Sequence, residues 1–190
     1  MSSPKKKIIV GIAGASGAIY GIRLLEVLHS IGVETHLVIT KSGKLTIEHE
    51  TDFKLDDVIS LASHYYNNND VSAAIASGSF INDGMIIAPC TVKTLSEIAT
   101  GCTQSLISRA ADVALKDRRR LVLLFRETPL HLGHIRSMQA VTEMGAIVMP
   151  PVTSFYSKPK TIDDLINQTI GRVLDLCDID NKLVKRWSGI

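Results

Sequence analysis

The sequence predicts one α/β domain built on a doubly wound parallel sheet, of the flavodoxin-like or Rossmann-like kind. Short apolar runs alternate along the chain with segments whose apolar residues recur at helical spacing. A glycine-containing turn joins the first apolar run directly to the first helix. No repeat or linker interrupts this pattern, so we expect residues 1–190 to form a single domain. Residues 1–7 are expected to be a flexible lead and residues 177–190 a tail.

The first strand and helix form the junction around which we expect the sheet to be organised. Residues 8–13 are apolar and predict a strand, residues 14–17 (GASG) predict a turn, and the residues that follow predict an amphipathic helix. Such a junction presents backbone N–H groups and the positive end of the helix dipole at the edge of the sheet. The sequence therefore predicts a turn that suits a phosphate or another anion.

This turn differs from the common nucleotide-binding motifs. An NAD-type fold has G-x-G-x-x-G in the turn and an acidic residue at the end of the second strand. Here Gly11, Gly14 and Gly17 are three residues apart, and the second strand at 34–40 is followed by Lys41. No G-x-x-x-x-G-K-[ST] segment is present either. These observations count against an NAD-dependent enzyme and against a nucleotide triphosphatase.

The remaining elements follow in the order that such a sheet requires. We expect a loop from residue 66 to residue 83. The expected helices are 42–50, 56–65, 92–100, 106–116, 135–144 and 162–176, and the further expected strands are 84–88, 121–125 and 146–149. Because parallel strands open their carboxyl ends on the same edge, the residues after each strand are the candidate ligand-binding groups.

Hydroxyl and cationic side chains follow two of these strands. Thr91, Lys93 and Thr94 come after the strand at 84–88, and Arg126 comes directly after the strand at 121–125. A cation at a strand end fits phosphate better than it fits core packing. Thr91 alone is equally consistent with a simple helix N-cap, and Ser77-Gly78-Ser79 is consistent with an anion contact or with a flexible loop.

Two further groups of polar residues have more than one interpretation. Arg109, Asp112 and Lys116 share one stripe of their helix, which is consistent with an exposed salt-bridged face or with a ligand contact. His131 and His134 have a spacing that occurs in metal sites, but no cysteine or carboxylate completes a ligand set. We therefore expect no metal there, and helix capping is the remaining explanation.

Composition restricts the possible partners and surroundings. With 45% hydrophobic and 5% aromatic residues, the core should be aliphatic, with apolar surface left for a homo-oligomer. A net charge of +2 gives no reason to expect nucleic acid or a membrane surface as partner. Three cysteines without a C-x-x-C pair fit a reduced, cytoplasmic protein. The apolar run after Lys5-Lys6-Lys7 is too short for a signal peptide, and no run reaches membrane-spanning length.

Six separated motifs together indicate a family. They are GASGAIYG (Gly14 to Gly21), HETD (His49 to Asp52), PCTVKTL (Pro89 to Leu95), SRAADVALKDRR (Ser108 to Arg119), RETPLHLGH (Arg126 to His134) and FY (Phe155 and Tyr156). With these motifs in this order, the chain resembles the flavin prenyltransferases, the UbiX and phenylacrylic-acid-decarboxylase-like family, from Ile8 to Trp187. The RETPLHLGH form is most similar to the members found beside hydroxyarylic-acid decarboxylases.

The resemblance implies a flavodoxin-like fold, a homododecamer and FMN bound in sites shared between subunits. In that family reduced FMN is a substrate: a dimethylallyl group from dimethylallyl monophosphate is joined to its N5 and C6 atoms, closing a fourth ring. The prenylated flavin then serves a UbiD-type decarboxylase. The resemblance therefore implies a prenyltransferase that uses no metal.

The motifs also carry residue roles over to this chain. The implied FMN contacts are Gly14, Ala15, Ser16, Thr40, Thr91, Val92, Lys93, Thr94 and Arg126. The implied contacts of the prenyl phosphate are Arg109, Lys116, Glu127, Tyr156 and Arg172. The implied catalytic residues are Ser16, Glu50, Lys116, Glu127 and Tyr156. We expect Glu50, beside an apolar prenyl group, to have a raised pKa and to accept the proton that C6 loses.

One feature of the residues themselves agrees with metal-independent transfer. Enzymes that ionise prenyl diphosphates through magnesium commonly carry a D-D-x-x-D segment, and both Asp-Asp pairs of this chain lack the third carboxylate. Fixed cations would then stabilise the departing phosphate. Two alternatives remain: a cysteinyl decarboxylase, whose P-x-M-N-x-x-M-W segment is missing from Pro150 to Pro159, and a non-catalytic FMN-binding accessory protein of an aromatic acid decarboxylase.

Overall fold

Six parallel strands form one sheet, and helices cover both of its faces. The computed structural model describes residues 5–184 and residue 186. The strands are β1 (Lys7–Ile12), β2 (Glu34–Ile39), β3 (His64–Asn67), β4 (Gly84–Cys90), β5 (Leu121–Phe125) and β6 (Ile147–Val148). The helices are α1 (Ala18–Ser30), α2 (Lys41–Glu50), α3 (Leu55–Ser60), α4 (Val92–Thr100), α5 (Leu106–Lys116), α6 (Leu132–Glu143) and α7 (Ile162–Leu176), with 3₁₀ turns at Ala74–Ala76 and Phe155–Ser157.

The strand order is β3-β2-β1-β4-β5-β6, which confirms the predicted doubly wound sheet. The chain winds outward from β1 to β3 and then returns to the other side of β1 with β4. Without the short edge strand β3, the order β2-β1-β4-β5-β6 is that of flavodoxin-like sheets, so the predicted flavodoxin-like fold is confirmed. The order reverses between β1 and β4, and ligands of such sheets bind at the carboxyl ends of the strands beside this reversal.

Two apolar clusters lie on the two faces of the sheet. Alternate residues of β1 belong to different clusters, with Ile8 in one and Ile9 in the other. The first cluster includes buried side chains of α1, α2, α3 and α7, and the second includes those of α4, α5 and α6. Since both faces are covered, β1, β4 and β5 are largely apolar runs, as the sequence indicated. Helices α5 and α7 therefore lie on opposite sides of the sheet.

The main difference from the sequence prediction is the edge strand β3. The helix expected to end at Tyr65 ends at Ser60, and His64–Asn67 pairs in parallel with β2. The expectation of helix and then loop here was wrong. Tyr65 and Tyr66 are partly buried, and tyrosine favours an extended backbone. The residues at the two ends, His64 and Asn67, are exposed and polar, so the segment lacks the apolar run that predicts a strand.

The ends of three other elements also shift. Helix α6 begins at Leu132, earlier than expected, because His131 caps it: its Nδ1 accepts the N–H of Gly133 at 3.0 Å. Strand β6 is shorter than expected. Strand β1 already includes Lys7, and the ammonium of Lys6 donates to the carbonyl oxygen of Cys177 at 3.0 Å. Residues 1–4, 185 and 187–190, including Trp187, lie outside the described residues.

Helix α1 lies against the carboxyl end of β4 with only a glycine between them. A Cβ atom on Gly21 would lie 2.3 Å from the carbonyl oxygen of Ala88. Substitution Gly21→Ala should therefore lower the free energy of unfolding by about 1–3 kcal/mol through overpacking, although alanine favours a helix. Ser30→Ala, at the exposed end of the same helix, should change it by less than about 0.5 kcal/mol. Urea unfolding measures both values, and equal stability of the two variants would contradict this close packing.

Candidate ligand-binding site at the carboxyl edge of the sheet

The carboxyl ends of β2, β1, β4 and β5 are joined into one edge by backbone hydrogen bonds beyond the strands. Thr40 N–H donates to the Ile12 carbonyl at 3.0 Å, and Ala13 N–H donates to the Pro89 carbonyl at 3.1 Å. Arg126 N–H donates to the Cys90 carbonyl at 3.0 Å. The residues that follow the four strands are therefore held side by side, as the sequence predicted.

Two helices begin at this edge, and threonine hydroxyls cap them. The hydroxyl oxygen of Thr40 accepts the N–H of Gly43 at 3.0 Å, and that of Thr91 accepts the N–H of Thr94 at 3.1 Å. The capping interpretation of Thr91 is thus confirmed. Because the positive ends of α2 and α4 lie at these threonines, the region between them favours negative charge.

A cavity of about 290 Å³ lies between these two helix ends. It brings together four of the predicted FMN contacts, Thr40, Thr91, Lys93 and Thr94. Hydroxyl, amide and ammonium groups dominate its lining, and its one carboxylate, Glu97, lies 3.7 Å from the ammonium of Lys93. A lining so rich in hydrogen-bond donors fits a phosphorylated ligand.

Several residues that were not predicted from the sequence line the same cavity. They are Lys41, Ser42, Asn68, Asn69, Glu97, Gln104, Ser105 and Ile107. Asn68 is held there by α5, since its carbonyl accepts the N–H of Leu106 at 2.8 Å and its Oδ1 accepts the N–H of Ile107 at 3.1 Å. Only Lys41 and Ser42, which follow Thr40 directly, offered a local signal. The loop residues are placed by contacts with a distant helix.

The glycine turn after β1 packs tightly against α2. A Cβ on Gly14 would lie 2.3 Å from the Cβ of Ser42, and Gly17 has a φ of 101°, which favours glycine. Gly17 precedes α1 and has no side chain to cap it. Instead Oε2 of Glu50, at the end of α2, accepts the N–H of Gly17 at 2.7 Å and that of Ala18 at 3.4 Å. A carboxylate therefore occupies the first N–H groups of α1.

These contacts correct the expected charge state of Glu50. Burial raises the pKa of Glu50, but hydrogen bonds from Gly17, Ser16 and Ala18 and the charge of Arg126 together bring that pKa below its ordinary value. The expectation of a raised pKa is thus wrong for the chain by itself. Glu50 is ionised at neutral pH, and it lies beside Ser16 and Gly14 around a second, shallow cavity.

The side chain of Arg126 completes this part of the edge. Its charge acts on Glu50 and also on Tyr20, a residue that the sequence analysis did not single out. Burial raises the pKa of Tyr20, and Arg126 opposes that rise. Three ionisable groups thus lie near the start of α1: the guanidinium of Arg126, the carboxylate of Glu50 and the phenol of Tyr20. The side chain of Arg126 is exposed.

The predicted prenyl-phosphate residues are more widely separated. On α5, Arg109 pairs with Asp112 at 2.9 Å and donates from Nε to the Ala76 carbonyl at 3.2 Å. Lys116 pairs with Asp117 at 3.0 Å. The predicted salt-bridged stripe is thus confirmed for Arg109 and Asp112, whereas Lys116 pairs with a residue beyond the helix. The Arg109 contact also shows that the loop containing Ser77 to Ser79 is held against α5 rather than free.

The other members of this set lie elsewhere on the surface. Arg172 on α7 is exposed and pairs with Asp175 at 2.9 Å, and the Tyr156 oxygen accepts from Gln168 at 3.0 Å. Glu127 is exposed after β5 and accepts the N–H of Thr128. Since α5 and α7 cover opposite faces of the sheet, Arg109 and Arg172 of one chain lie on helices at different faces.

None of the helices in the described part of the chain is long and apolar enough to cross a membrane.

Comparison with known proteins identifies the family. A family model described as Flavoprotein matches residues 1–179. The flavin prenyltransferase UbiX of Thauera aromatica is 57% identical over 183 residues, which cover 96% of this chain and 94% of that protein.

Two solved structures have nearly the same fold over nearly the whole chain. AnUbiX (PadA1), solved in complex with FMN and dimethylallyl pyrophosphate, has a TM-score of 0.96 and 49% identity, covering 98% of this chain and 99% of its own. A dodecameric FMN-dependent UbiX-like decarboxylase from Escherichia coli O157:H7 has a TM-score of 0.94 and 46% identity, covering 96% and 100%. The chain therefore belongs to the Flavoprotein family and, within it, to the flavin prenyltransferases.

Proposed function

We propose that this protein transfers a dimethylallyl group from dimethylallyl monophosphate to N5 and C6 of reduced FMN, producing prenylated FMN for a UbiD-type decarboxylase. The observation that carries the proposal is the donor-rich edge where β2, β1, β4 and β5 end, in a chain that belongs to the flavin prenyltransferases. The structurally similar AnUbiX was solved with FMN and dimethylallyl pyrophosphate, which supports the same pair of ligand classes here.

The flavin would bind along this edge as a substrate. The hydroxyls of Thr40, Thr91 and Thr94 and the ammonium of Lys93 line the cavity between α2 and α4, where an FMN phosphate would find donors and two helix ends. Arg126 and the turn at Gly14, Ala15 and Ser16 would contact the rest of the flavin. Val92, the first residue of α4, would contribute its backbone at the same helix end.

The prenyl phosphate would be held by cations from more than one copy of the chain. Arg109 and Arg172 lie on helices at opposite faces of the sheet, so a site that contains both requires neighbouring subunits. The E. coli relative is a dodecamer, and we propose the same assembly here. Exposed apolar residues support subunit contacts, among them Leu132, Phe155 and Ile162.

The chain's own residues suggest how the transfer proceeds without a metal. As N5 of the flavin attacks the allylic carbon, the phosphate leaves with the electrons of the broken C–O bond. Arg109, Lys116, Tyr156 and Arg172 would stabilise its charge. Glu127 would orient this group beside the cations. N5 would lose its proton to the departing phosphate, and this proton would return to the alkene CH of the N5-linked prenyl group, so that C6 can bond to the tertiary carbon. The ionised Glu50 would then accept the proton that C6 loses, with Ser16 as its hydrogen-bonding neighbour.

The setting that we propose is the cytoplasm. Among the described residues, the cysteines are all free thiols, as expected of a reducing compartment.

The transfer itself is tested by anaerobic incubation of the purified protein with reduced FMN and dimethylallyl monophosphate. Mass spectrometry of the released flavin should show a gain of one C5H8 unit, and no gain without the protein. If FMN binds but is recovered unmodified with either the monophosphate or the diphosphate, the function of a non-catalytic accessory protein replaces the proposed one.

The role of Glu50 is tested by Glu50→Gln, which keeps an oxygen acceptor for the N–H of Gly17 but removes the base. Turnover should fall by roughly 100-fold, the scale of general-base catalysis, while the FMN dissociation constant changes little. Glu48→Gln, an exposed substitution on the same helix, is the matched control and should behave as the wild type. Wild-type turnover of Glu50→Gln would remove Glu50 from the mechanism.

The shared phosphate site is tested by complementation. Arg109→Gln and Arg172→Gln should each raise the KM for dimethylallyl monophosphate and lower turnover. When the two variants are co-expressed and form mixed oligomers, some sites combine the intact Arg172 of one subunit with the intact Arg109 of its neighbour, so part of the activity should return. Mixed oligomers no more active than either variant alone would show that the two arginines do not share a site.

A further inference from the structure

Three potential metal ligands lie together on β2 and β3, away from the carboxyl edge of the sheet. Glu34 and His36 are two residues apart on β2, so both side chains point to the same face. His64 is the parallel neighbour of His36 on β3. Within the described residues, these three offer ligand atoms that all lie within 4.8 Å of one another.

The distances suit a small transition-metal ion. Nε2 of His36 is 3.0 Å from Oε1 of Glu34, and Nε2 of His64 is 3.9 Å from the same oxygen. In a tetrahedral zinc site with bonds of about 2.1 Å, neighbouring ligand atoms are about 3.4 Å apart. The observed separations lie on either side of this value, so small side-chain rotations would bring all three atoms to one ion.

One ligand is already oriented by a neighbouring hydroxyl. Nδ1 of His36 is 3.0 Å from the hydroxyl oxygen of Tyr66. With the proton on Nδ1, His36 donates to Tyr66 and its Nε2 lone pair is available, which is the usual arrangement of a metal-bound histidine. The ring is only 2% exposed and packs edge-on against Phe80, so its direction is fixed.

The other two ligands leave the cluster open on one side. The side chain of His64 is 54% exposed, which provides an entry path and room for a water as fourth ligand. Lys7 competes for Glu34, since its ammonium lies 3.3 Å from the same Oε1. That ammonium also lies over the ring of Phe80 at 5.8 Å, and because the Lys7 side chain is 40% exposed, an incoming cation can displace the ammonium into solvent.

We propose that Glu34, His36 and His64 bind one divalent transition-metal ion, Zn²⁺ above all, which ties the edge strand β3 to β2. Imidazole and carboxylate together are typical zinc ligands. The cluster lies toward the start of β2, whereas the flavin edge begins beyond its other end at Thr40. The ion therefore takes no part in prenyl transfer, which stays metal-independent.

The test uses the full-length, tag-free protein stripped with EDTA and titrated with ZnCl₂ by calorimetry. The wild type should bind one Zn²⁺ per chain, and its thermal unfolding midpoint should rise as ZnCl₂ is added. His64→Gln should weaken binding at least tenfold and abolish the rise in midpoint. Because His64 is exposed, this variant should fold normally without zinc. Lys7→Gln should tighten binding by removing the competing cation.

His134→Gln is the matched control, because it disrupts the other close histidine pair, in which the rings of His131 and His134 stack at 3.6 Å. It should bind Zn²⁺ as the wild type does. Anomalous diffraction at the zinc edge from soaked crystals should place the ion between Glu34, His36 and His64. No saturable binding, or binding that His134→Gln removes and His64→Gln leaves unchanged, would overturn the proposal.

Discussion

The close approach of two helices to the strand ends is the constraint on which the rest of the structure depends. Gly21 of α1 packs on the carbonyl of Ala88, and a Cβ on Gly43 of α2 would lie 2.5 Å from the carbonyl of Ile12. Any larger residue would push these helices outward. Because the backbones touch, α1 and α2 begin directly at the edge of the sheet, where the dipole of α2 favours an anionic ligand.

This packing also determines the state of Glu50. The carboxylate lies at the end of α2, yet it satisfies the first N–H groups of α1, 33 positions earlier at Gly17. One group therefore stabilises the glycine turn and is kept ionised by the same hydrogen bonds. An anion at this turn would meet a negative charge, whereas the ends of α2 and α4, capped by the uncharged Thr40 and Thr91, carry no such charge. The region between α2 and α4 is thus the better place for a phosphate.

The sequence was sufficient for the parts of the structure that depend on local pattern. Buried strands are apolar runs, and Thr91 and Arg126 follow theirs directly, so the edge could be predicted. Strand β3 could not, because its existence depends on pairing with β2 rather than on an apolar run. The hydrogen bonds of Glu50 and the position of Asn68 beside α5 could not be predicted from the sequence either, since both result from contacts between segments far apart along the chain.

The proposed flavin contacts and the proposed phosphate contacts are arranged differently in the chain. Thr40 and Thr91, which follow β2 and β4 of the same sheet, line one cavity between α2 and α4. The cations are divided, with Arg109 and Arg172 on opposite faces and each already paired with an acid three residues later. A phosphate at a shared site would have to draw these guanidiniums from pairs that are weak because they are partly exposed. Several of the proposed flavin contacts thus lie around one cavity of the folded chain, whereas the proposed phosphate contacts are divided between the two faces of the sheet.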